Sequence, residues 1–137
     1  YQLKIQMKIK KIITLLLLLI ILFPFLLYAQ NKKPKTLEVI GYYFYSIGDF
    51  SEAIKEYKKA LEIDPNNSKI HYNLGVIYAE NHDYNSAIKE LKEALNGDCS
   101  IKKDALYNLI IIYGKYLKNT DMANFYYEKF NQMKITE

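Results

Sequence analysis

One stretch of sequence occurs twice in this chain in closely similar form. The first copy is GDFSEAIKEYKKALEIDP, from Gly48 to Pro65, and the second is HDYNSAIKELKEALNGDC, from His82 to Cys99. Nine of the 18 positions are identical. Self-similarity with a period of roughly 20–50 residues is typical of architectures in which similar units stack on one another. The repetition therefore predicts an array of small units that are added until the stack is stable.

Each copy has the hydrophobic spacing of a helical hairpin. Apolar residues recur three and four positions apart on both sides of the stretch SIGDFSE, residues 46–52. Gly48 can take the positive φ that ends a helix, and Asp49, three residues before Glu52, has the spacing of a capping box for the next one. The second copy repeats this order around ENHDYNS, residues 80–86. Each unit is therefore predicted to be two helices joined by a tight turn.

A third copy follows with a less regular sequence. YNLIIIYGKYL, from Tyr107, echoes YNLGVIYAENH, from Tyr72, with one extra residue between the copies. Ala123, Tyr127 and Phe130 continue the pattern of the second helix. Three copies predict six helices. A single hairpin has too little apolar surface to fold alone, and about three copies that share a core are the usual minimum.

The unit and its period resemble the tetratricopeptide repeat family. Two copies match that family's pattern of large, small, aromatic and turn residues: Leu37, Ile40, Gly41, Phe44, Gly48, Phe50, Ala53, Tyr57, Ala60 and Pro65, then Leu74, Gly75, Tyr78, Tyr84, Ala87, Leu91 and Ala94. The third departs from it, with Ile110 in the place of a small residue and an extra residue in its turn. The resemblance implies an all-α fold, an α-solenoid of three stacked repeats at about residues 34–67, 68–102 and 103–137.

The resemblance also implies a function. Members of this family generally catalyse no reaction, and their first helices line a concave groove that holds an extended peptide or a helix of a partner protein. Carried onto this chain, the groove residues are Tyr42, Tyr45, Lys69, Tyr72, Asn73, Val76, Tyr107, Asn108 and Ile111, with Lys35, Glu38 and Glu80 beside them. The family's chaperone-tail variety holds a terminal carboxylate with Lys, Asn and Arg side chains. Glu38 and Tyr42 stand at two of those positions, so we do not expect that specificity.

Residues 1–29 differ from the rest of the chain in composition. Four lysines and no acid precede an apolar run from Ile12 to Tyr28, and the small residue Ala29 follows. This order is typical of an export signal, while the run itself is just short of the roughly 20 residues that a membrane-spanning helix prefers. Two predictions stay open. Cleavage after Ala29 would give a secreted or periplasmic protein, and retention would give a single-pass membrane protein anchored by residues 12–28, with the repeat domain outside.

The remaining boundaries follow from these two segments. Residues 30–35, QNKKPK, are predicted to be a linker, and residues 36–137 the repeat domain. Met7 is the expected initiator, so no function is assigned to residues 1–6.

Charge argues against nucleic acid as a partner. The formal net charge of +4 comes from residues 1–29, because the 15 lysines beyond them balance all 15 acidic residues of the chain. All 19 basic residues are lysine. The chain therefore lacks the planar arginine fork that most often reads guanine or clamps phosphate.

Catalytic and metal-binding patterns are not found in the sequence. The two histidines, His71 and His82, have no repeated metal-ligand spacing, and the single cysteine, Cys99, cannot form an internal disulfide. We expect His71 to open a helix, His82 to take the turn position of Gly48, and Cys99 to lie in a loop between repeats. The charged residues from Lys89 to Glu93 are predicted to form a solvated helix face. Neither an enzyme, a cofactor nor a metal is predicted.

The last helix is unusually aromatic. DMANFYYEKFNQMK, residues 121–134, carries Phe125, Tyr126, Tyr127, Phe130 and Met133, where a terminal repeat normally presents a polar face. This predicts an exposed apolar edge that docks a partner or a second copy of the chain.

Two functional classes therefore remain. One is an exported or membrane-tethered module that binds a peptide or partner protein in its groove. The other is a membrane-anchored structural subunit that assembles through its apolar and terminal helices, with the repeats as a spacer.

Overall fold

The computed structural model describes residues 2–30 and 34–135. The chain divides into two compact units, Tyr1–Lys33 and Pro34–Glu137. The first unit contains one helix, α1, Gln2–Gln30, and every side chain described on it is exposed. In the described ranges, no helix combines the length and apolar character that crossing a membrane requires.

The second unit consists of three helical hairpins. Its helices are α2, Pro34–Ser46; α3, Phe50–Ile63; α4, Ser68–Glu80; α5, Tyr84–Ala94; α6, Cys99–Ile111; and α7, Thr120–Ile135. A π-helical segment, Ile112–Tyr116, continues α6. Residues 34–135 contain helices and turns and no strand. The predicted all-α class and the six repeat helices of the solenoid are confirmed.

A polar side chain caps the start of each helix from α3 to α7. Each of these side chains accepts a hydrogen bond from the backbone N–H three residues later, at 3.0–3.2 Å: Asp49, Asn67, Asp83, Asp98 and Asn119. The capping box predicted at Asp49 forms only in its first half. The Glu52 carboxylate binds Lys55 at 3.0 Å instead of reaching back to the Asp49 N–H, which donates to the carbonyl of Phe44.

Each hairpin turn contains one residue with positive φ. Gly48 has φ 81°, His82 has φ 62° and Lys118 has φ 54°. In the first hairpin the Asp49 N–H donates to the carbonyl of Phe44, five residues earlier, at 2.9 Å. This is the 6→1 hydrogen bond of a Schellman C-cap, and the second hairpin has the equivalent bond. His82 therefore takes the turn position of Gly48, as predicted.

Small residues on the first helix of a hairpin let the second helix approach. A Cβ atom added to Gly41 would lie 2.7 Å from Cε1 of Tyr57, and one added to Gly75 would lie 2.7 Å from Cγ of Leu91. Real Cβ atoms essentially never come so close. Tyr57 and Leu91 are 1% and 0% exposed, so each glycine provides the space in which a large core side chain is buried.

Two hydrophobic clusters hold the unit together, and each extends beyond one hairpin. The first joins α2 and α3 to α4: Leu37, Ala53, Tyr57, Ala60, Ile70, Leu74 and Ile77. The second joins α5 to α6, the π-helical segment and α7: Ala87, Leu91, Ala94, Ala105, Leu106, Leu109, Ile112 and Tyr126. Tyr78 packs against both clusters. Each hairpin therefore completes its core with a neighbour, which is why the repeats are stable only as a stack.

The π-helical segment accounts for one extra residue in the third copy. Along the chain, the step from Tyr107 to the capping residue Asn119 is one position longer than the step from Tyr72 to Asp83. An additional residue in a helix is commonly accommodated as a π-bulge. Consistently, the N–H of Leu117 donates to the carbonyl of Ile112, five residues earlier, at 2.9 Å.

The link between the second and third repeats is shorter than predicted. Cys99 was expected in a loop, but it is the exposed first residue of α6. The reason is the Asp98 side chain, which accepts the Ile101 N–H at 3.0 Å and so starts the helix directly after itself.

The third hairpin buries a different aromatic residue from the one predicted. Phe130 packs against the second cluster as expected, and Ala123 is buried at 9% exposure. The prediction for Tyr127 is wrong, because this side chain is 53% exposed while Tyr126 is only 4% exposed. The last helix is therefore turned about its axis relative to α3 and α5.

Ile110 stands at a position where the other two hairpins have a glycine. It occupies the repeat position of Gly41, which in the first hairpin provides the space for Tyr57. In the third hairpin, Tyr126 is the buried ring, and it stacks on Tyr113 with ring centroids 5.6 Å apart and planes inclined by 14°.

We predict opposite outcomes for the two neighbouring tyrosines of α7. Tyr126→Ala should lower the free energy of unfolding by about 3 kcal/mol, because it removes a buried ring from the second cluster. Tyr127→Ala should change it by less than about 0.5 kcal/mol, as is usual at an exposed position. Urea unfolding followed by circular dichroism measures both values. Equal losses, or a larger loss for Tyr127→Ala, would contradict the rotation of α7.

Candidate partner-binding groove

The first helices of two adjacent repeats, α2 and α4, run side by side in the same direction. Near their starts, Lys69 Nζ lies 2.7 Å from Glu38 Oε1. Near their ends, the Tyr45 hydroxyl donates to Glu80 Oε1 at 2.9 Å. These two contacts bracket a surface depression between the helices, which we call the α2–α4 groove.

Two adjoining cavities form the α2–α4 groove. The smaller, of about 220 Å³, is lined by Tyr42, Tyr45, Tyr72, Asn73 and Val76. The larger, of about 290 Å³, is lined by Glu38, Val39, Tyr42, Lys69 and Asn73. Tyr42 and Asn73 line both cavities and therefore lie where the two meet. Tyr42 is 61% exposed, so its ring is accessible to a ligand without rearrangement of the fold.

The structure brings together two thirds of the predicted groove residues. Those on the first two repeats line the cavities: Tyr42, Tyr45, Lys69, Tyr72, Asn73 and Val76. Tyr107, Asn108 and Ile111, on α6, line neither of them. Asn108 is nevertheless close enough to the groove to act on Tyr72, whose pKa its side chain lowers against the larger effect of burial. Its amide nitrogen also donates to the Asp104 carbonyl at 2.9 Å.

Asn73 is oriented by a residue of the core. Its Nδ2 atom donates to the Tyr57 hydroxyl at 3.2 Å. Burial raises the pKa of Tyr57 to about 12, so this hydroxyl stays protonated at neutral pH. The Asn73 carbonyl oxygen and its second N–H make no hydrogen bond to the described residues, so both are available to a ligand. The sequence pattern identified Tyr57 only as a core position and missed this contact.

Acidic neighbours act on two tyrosines of the groove. Burial is the largest cause of the raised pKa of Tyr45, and the hydrogen bond to Glu80 and its charge raise it further. Burial also raises the pKa of Tyr72, and the charge of Asp104 adds to the effect. Both hydroxyls therefore remain neutral at physiological pH.

A contact outside the groove fastens the second hairpin. His71 Nδ1 lies 2.7 Å from Glu90 Oε2, and Nε2 lies 2.9 Å from the Pro65 carbonyl. Both partner atoms are acceptors, so the two contacts are satisfied together when both ring nitrogens carry a proton. Glu90 is thus partly buried against α4, and the prediction that it belongs to a solvated face is wrong.

In the part of the chain that the structure describes, no group of three or more His, Cys, Asp or Glu side chains is placed to hold a metal.

The last helix keeps an apolar edge at two aromatic residues. Phe125 is 49% and Tyr127 is 53% exposed. The other three aromatic or apolar residues highlighted in the sequence, Tyr126, Phe130 and Met133, pack into or against the second cluster. The exposed edge is therefore narrower than the composition of this helix suggests.

Comparison with known protein families identifies the repeat. Residues 41–82 match a family model described as TPR repeat. This part of the chain is therefore similar to the tetratricopeptide repeat. The matched residues run from Gly41 on α2 to His82 in the turn after α4, and thus include most of the α2–α4 groove.

Two curated proteins are similar to parts of the chain. The Hsp70-Hsp90 organising protein of Plasmodium falciparum (isolate 3D7) is 30% identical over 110 residues, which cover 73% of this chain and 20% of that protein. A TPR repeat-containing protein of Borreliella burgdorferi (strain ATCC 35210 / DSM 4680 / CIP 102532 / B31) is 39% identical over 46 residues, which cover 34% of this chain and 20% of that protein. The chain therefore spans about a fifth of the length of either relative.

Proposed function

We propose that this chain is a protein-interaction module whose α2–α4 groove binds an extended peptide segment of a partner protein. The observation that carries the proposal is the pair of adjoining cavities at the junction of two repeats, where Tyr42 and Asn73 face both. Tetratricopeptide repeats are generally non-enzymatic interaction modules. The name of the Plasmodium falciparum relative describes a protein that organises two others, which supports the same class of function.

The groove offers a peptide two kinds of contact. Tyrosine supplies a wide amphipathic surface at a low entropic cost, and Tyr42 and Tyr72 line the groove from opposite helices. Asn73 supplies a carbonyl oxygen and an N–H, which match the donor and acceptor of one peptide unit. Because Tyr57 already holds the Asn73 side chain in place, little additional ordering is required on binding.

The test is crosslinked capture of the tagged chain from its native cells. The groove variant combines Tyr42→Ala, Tyr72→Ala and Asn73→Ala. The control variant combines the same types of change at exposed positions outside both cavities: Tyr43→Ala, Tyr127→Ala and Asn85→Ala. We expect the groove variant to recover its partner at roughly one tenth of the wild-type level or less, because the tyrosines are expected to be the anchors of the interface.

The control variant should recover the partner at the wild-type level. Circular dichroism and thermal unfolding of both variants verify that the fold is retained. A partner that survives the groove substitutions would contradict peptide binding in the α2–α4 groove.

A second candidate function is assembly through the last helix, in which the repeats act as a spacer. The exposed Phe125 and Tyr127 favour it, since neighbouring exposed aromatic residues are typical of contact surfaces. The same capture separates the two candidates. A partner, or a second copy of the chain, that is lost with the control variant and kept with the groove variant would support assembly through α7.

We also propose that residues 1–29 carry the repeat domain across a membrane, either as a cleaved signal or as a retained anchor. The support is compositional: four lysines and no acid precede the apolar run that begins at Ile12. The expected observation is that protein from native cells either lacks residues 1–29 by intact-mass measurement or fractionates with membranes. Full-length chain in the aqueous cytoplasmic fraction would contradict both forms of the proposal.

A further inference from the structure

The α2–α4 groove has a carboxylate at each end, and among the described residues only one of the two, Glu38, is paired with a lysine. Among the described residues that line its two cavities, Lys69 alone is basic, and its ammonium group lies 2.7 Å from the Glu38 carboxylate. Glu80 lies at the opposite end of the groove, on the Tyr45 hydroxyl. The charge of Asp104, on α6, acts on Tyr72. The Glu38–Lys69 pair is neutral as a unit, whereas the carboxylate of Glu80 adds a negative charge beside the smaller cavity, which Tyr45 lines.

Two further lysines lie on the helices that face the groove. Lys35 is exposed in the first turn of α2, and Lys103 is half-buried on α6. Neither lysine lines either cavity, and neither do Glu80 and Asp104, but Glu80 is hydrogen-bonded to Tyr45, which does.

Aromatic faces stand next to these carboxylates. Tyr42, Tyr45 and Tyr72 line the smaller cavity. The rings of Tyr42 and Tyr45 are 6.3 Å apart between centroids and inclined by 45°, so they do not stack face to face on each other. A cation within about 6 Å of a tyrosine face is attracted by the ring quadrupole. Val76 supplies an apolar wall against which the methylene stem of a long cationic side chain can lie.

We propose that the α2–α4 groove recognises a peptide through a lysine or arginine side chain, which lies among Tyr42, Tyr45 and Tyr72 with its charge directed to Glu80. The adjoining backbone of the peptide bonds to the Asn73 side chain. This inference rests on the proposed function and adds the chemical class of the ligand. An acidic peptide, or a peptide that ends in the groove with a free carboxylate, is disfavoured because Glu38 already neutralises Lys69.

The experiment measures binding of the full chain to matched peptides by fluorescence anisotropy. The peptides have the sequence Gly-Ser-Leu-X-Leu-Ser-Gly, with X as Arg, Lys, Gln or Glu, and both ends are blocked with neutral groups. A fifth peptide has X as Glu and a free carboxyl terminus. We expect the Arg and Lys peptides to bind about tenfold more tightly than the Glu peptides. Arg and Lys bring a positive charge to the exposed carboxylate of Glu80, whereas Glu brings a negative one.

Two matched variants locate the source of the preference. Glu80→Gln removes the charge and keeps an oxygen that accepts the Tyr45 hydroxyl, so the groove should keep its shape. Glu93→Gln removes the same charge from an exposed position of α5, away from both cavities. The preference for Arg and Lys should fall by about threefold in Glu80→Gln and stay unchanged in Glu93→Gln.

The outcomes separate this inference from the proposed function. If peptides bind and Tyr42→Ala weakens them, but the Glu or free-carboxylate peptides bind as well as the Arg peptide, the charge inference is wrong and the groove function stands. A preference for Arg that Glu80→Gln leaves intact also overturns the inference. If none of the five peptides binds at concentrations up to about 1 mM, or binding is unaffected by Tyr42→Ala, the charge inference and peptide binding in this groove both fail.

Discussion

The close approach of α2 and α3 at Gly41 is the contact on which the rest of the first two repeats depends. The absence of a side chain at Gly41 provides the space in which the Tyr57 ring is buried, and Tyr57 belongs to a cluster that α4 completes. A larger residue at position 41 would displace the ring, and with it the surface on which the second repeat stacks. The repeated glycine at position 75 does the same for Leu91 and the second cluster.

This core contact also shapes the candidate binding surface. Tyr57 is almost fully buried, yet its hydroxyl reaches Asn73 at the junction of the two groove cavities. The groove lies between α2 and α4, helices of different repeats, so it exists only when the repeats are stacked in register. Glu38 with Lys69 and Tyr45 with Glu80 fasten the same two helices at its ends. Folding and partner binding therefore share one set of contacts, and a change at the repeat interface is expected to affect both.

Local rules in the sequence were sufficient to predict the helices, because hydrophobic spacing and caps such as Asp49 act over a few residues. They also placed His82 in its turn. Interactions between distant side chains were predicted less well. Tyr126 is buried in a stack on Tyr113, and Glu90 is held by His71, so each outcome involves a partner many residues away. The six groove residues on α2 and α4 line the two cavities together, whereas Tyr107, on α6, lies outside both.

The most direct test of this account is the effect of Tyr57→Phe on the amount of crosslinked partner recovered from native cells. The lost hydroxyl is buried and cannot touch a partner, so it can act only through Asn73. Loss of one such hydrogen bond corresponds to a fall in recovery of roughly two- to tenfold. Tyr78→Phe, which removes a hydroxyl from a tyrosine that packs against both cores, is the control and should leave recovery unchanged. Wild-type recovery with a stably folded Tyr57→Phe variant would contradict the proposal that the repeat core prepares the groove for its partner.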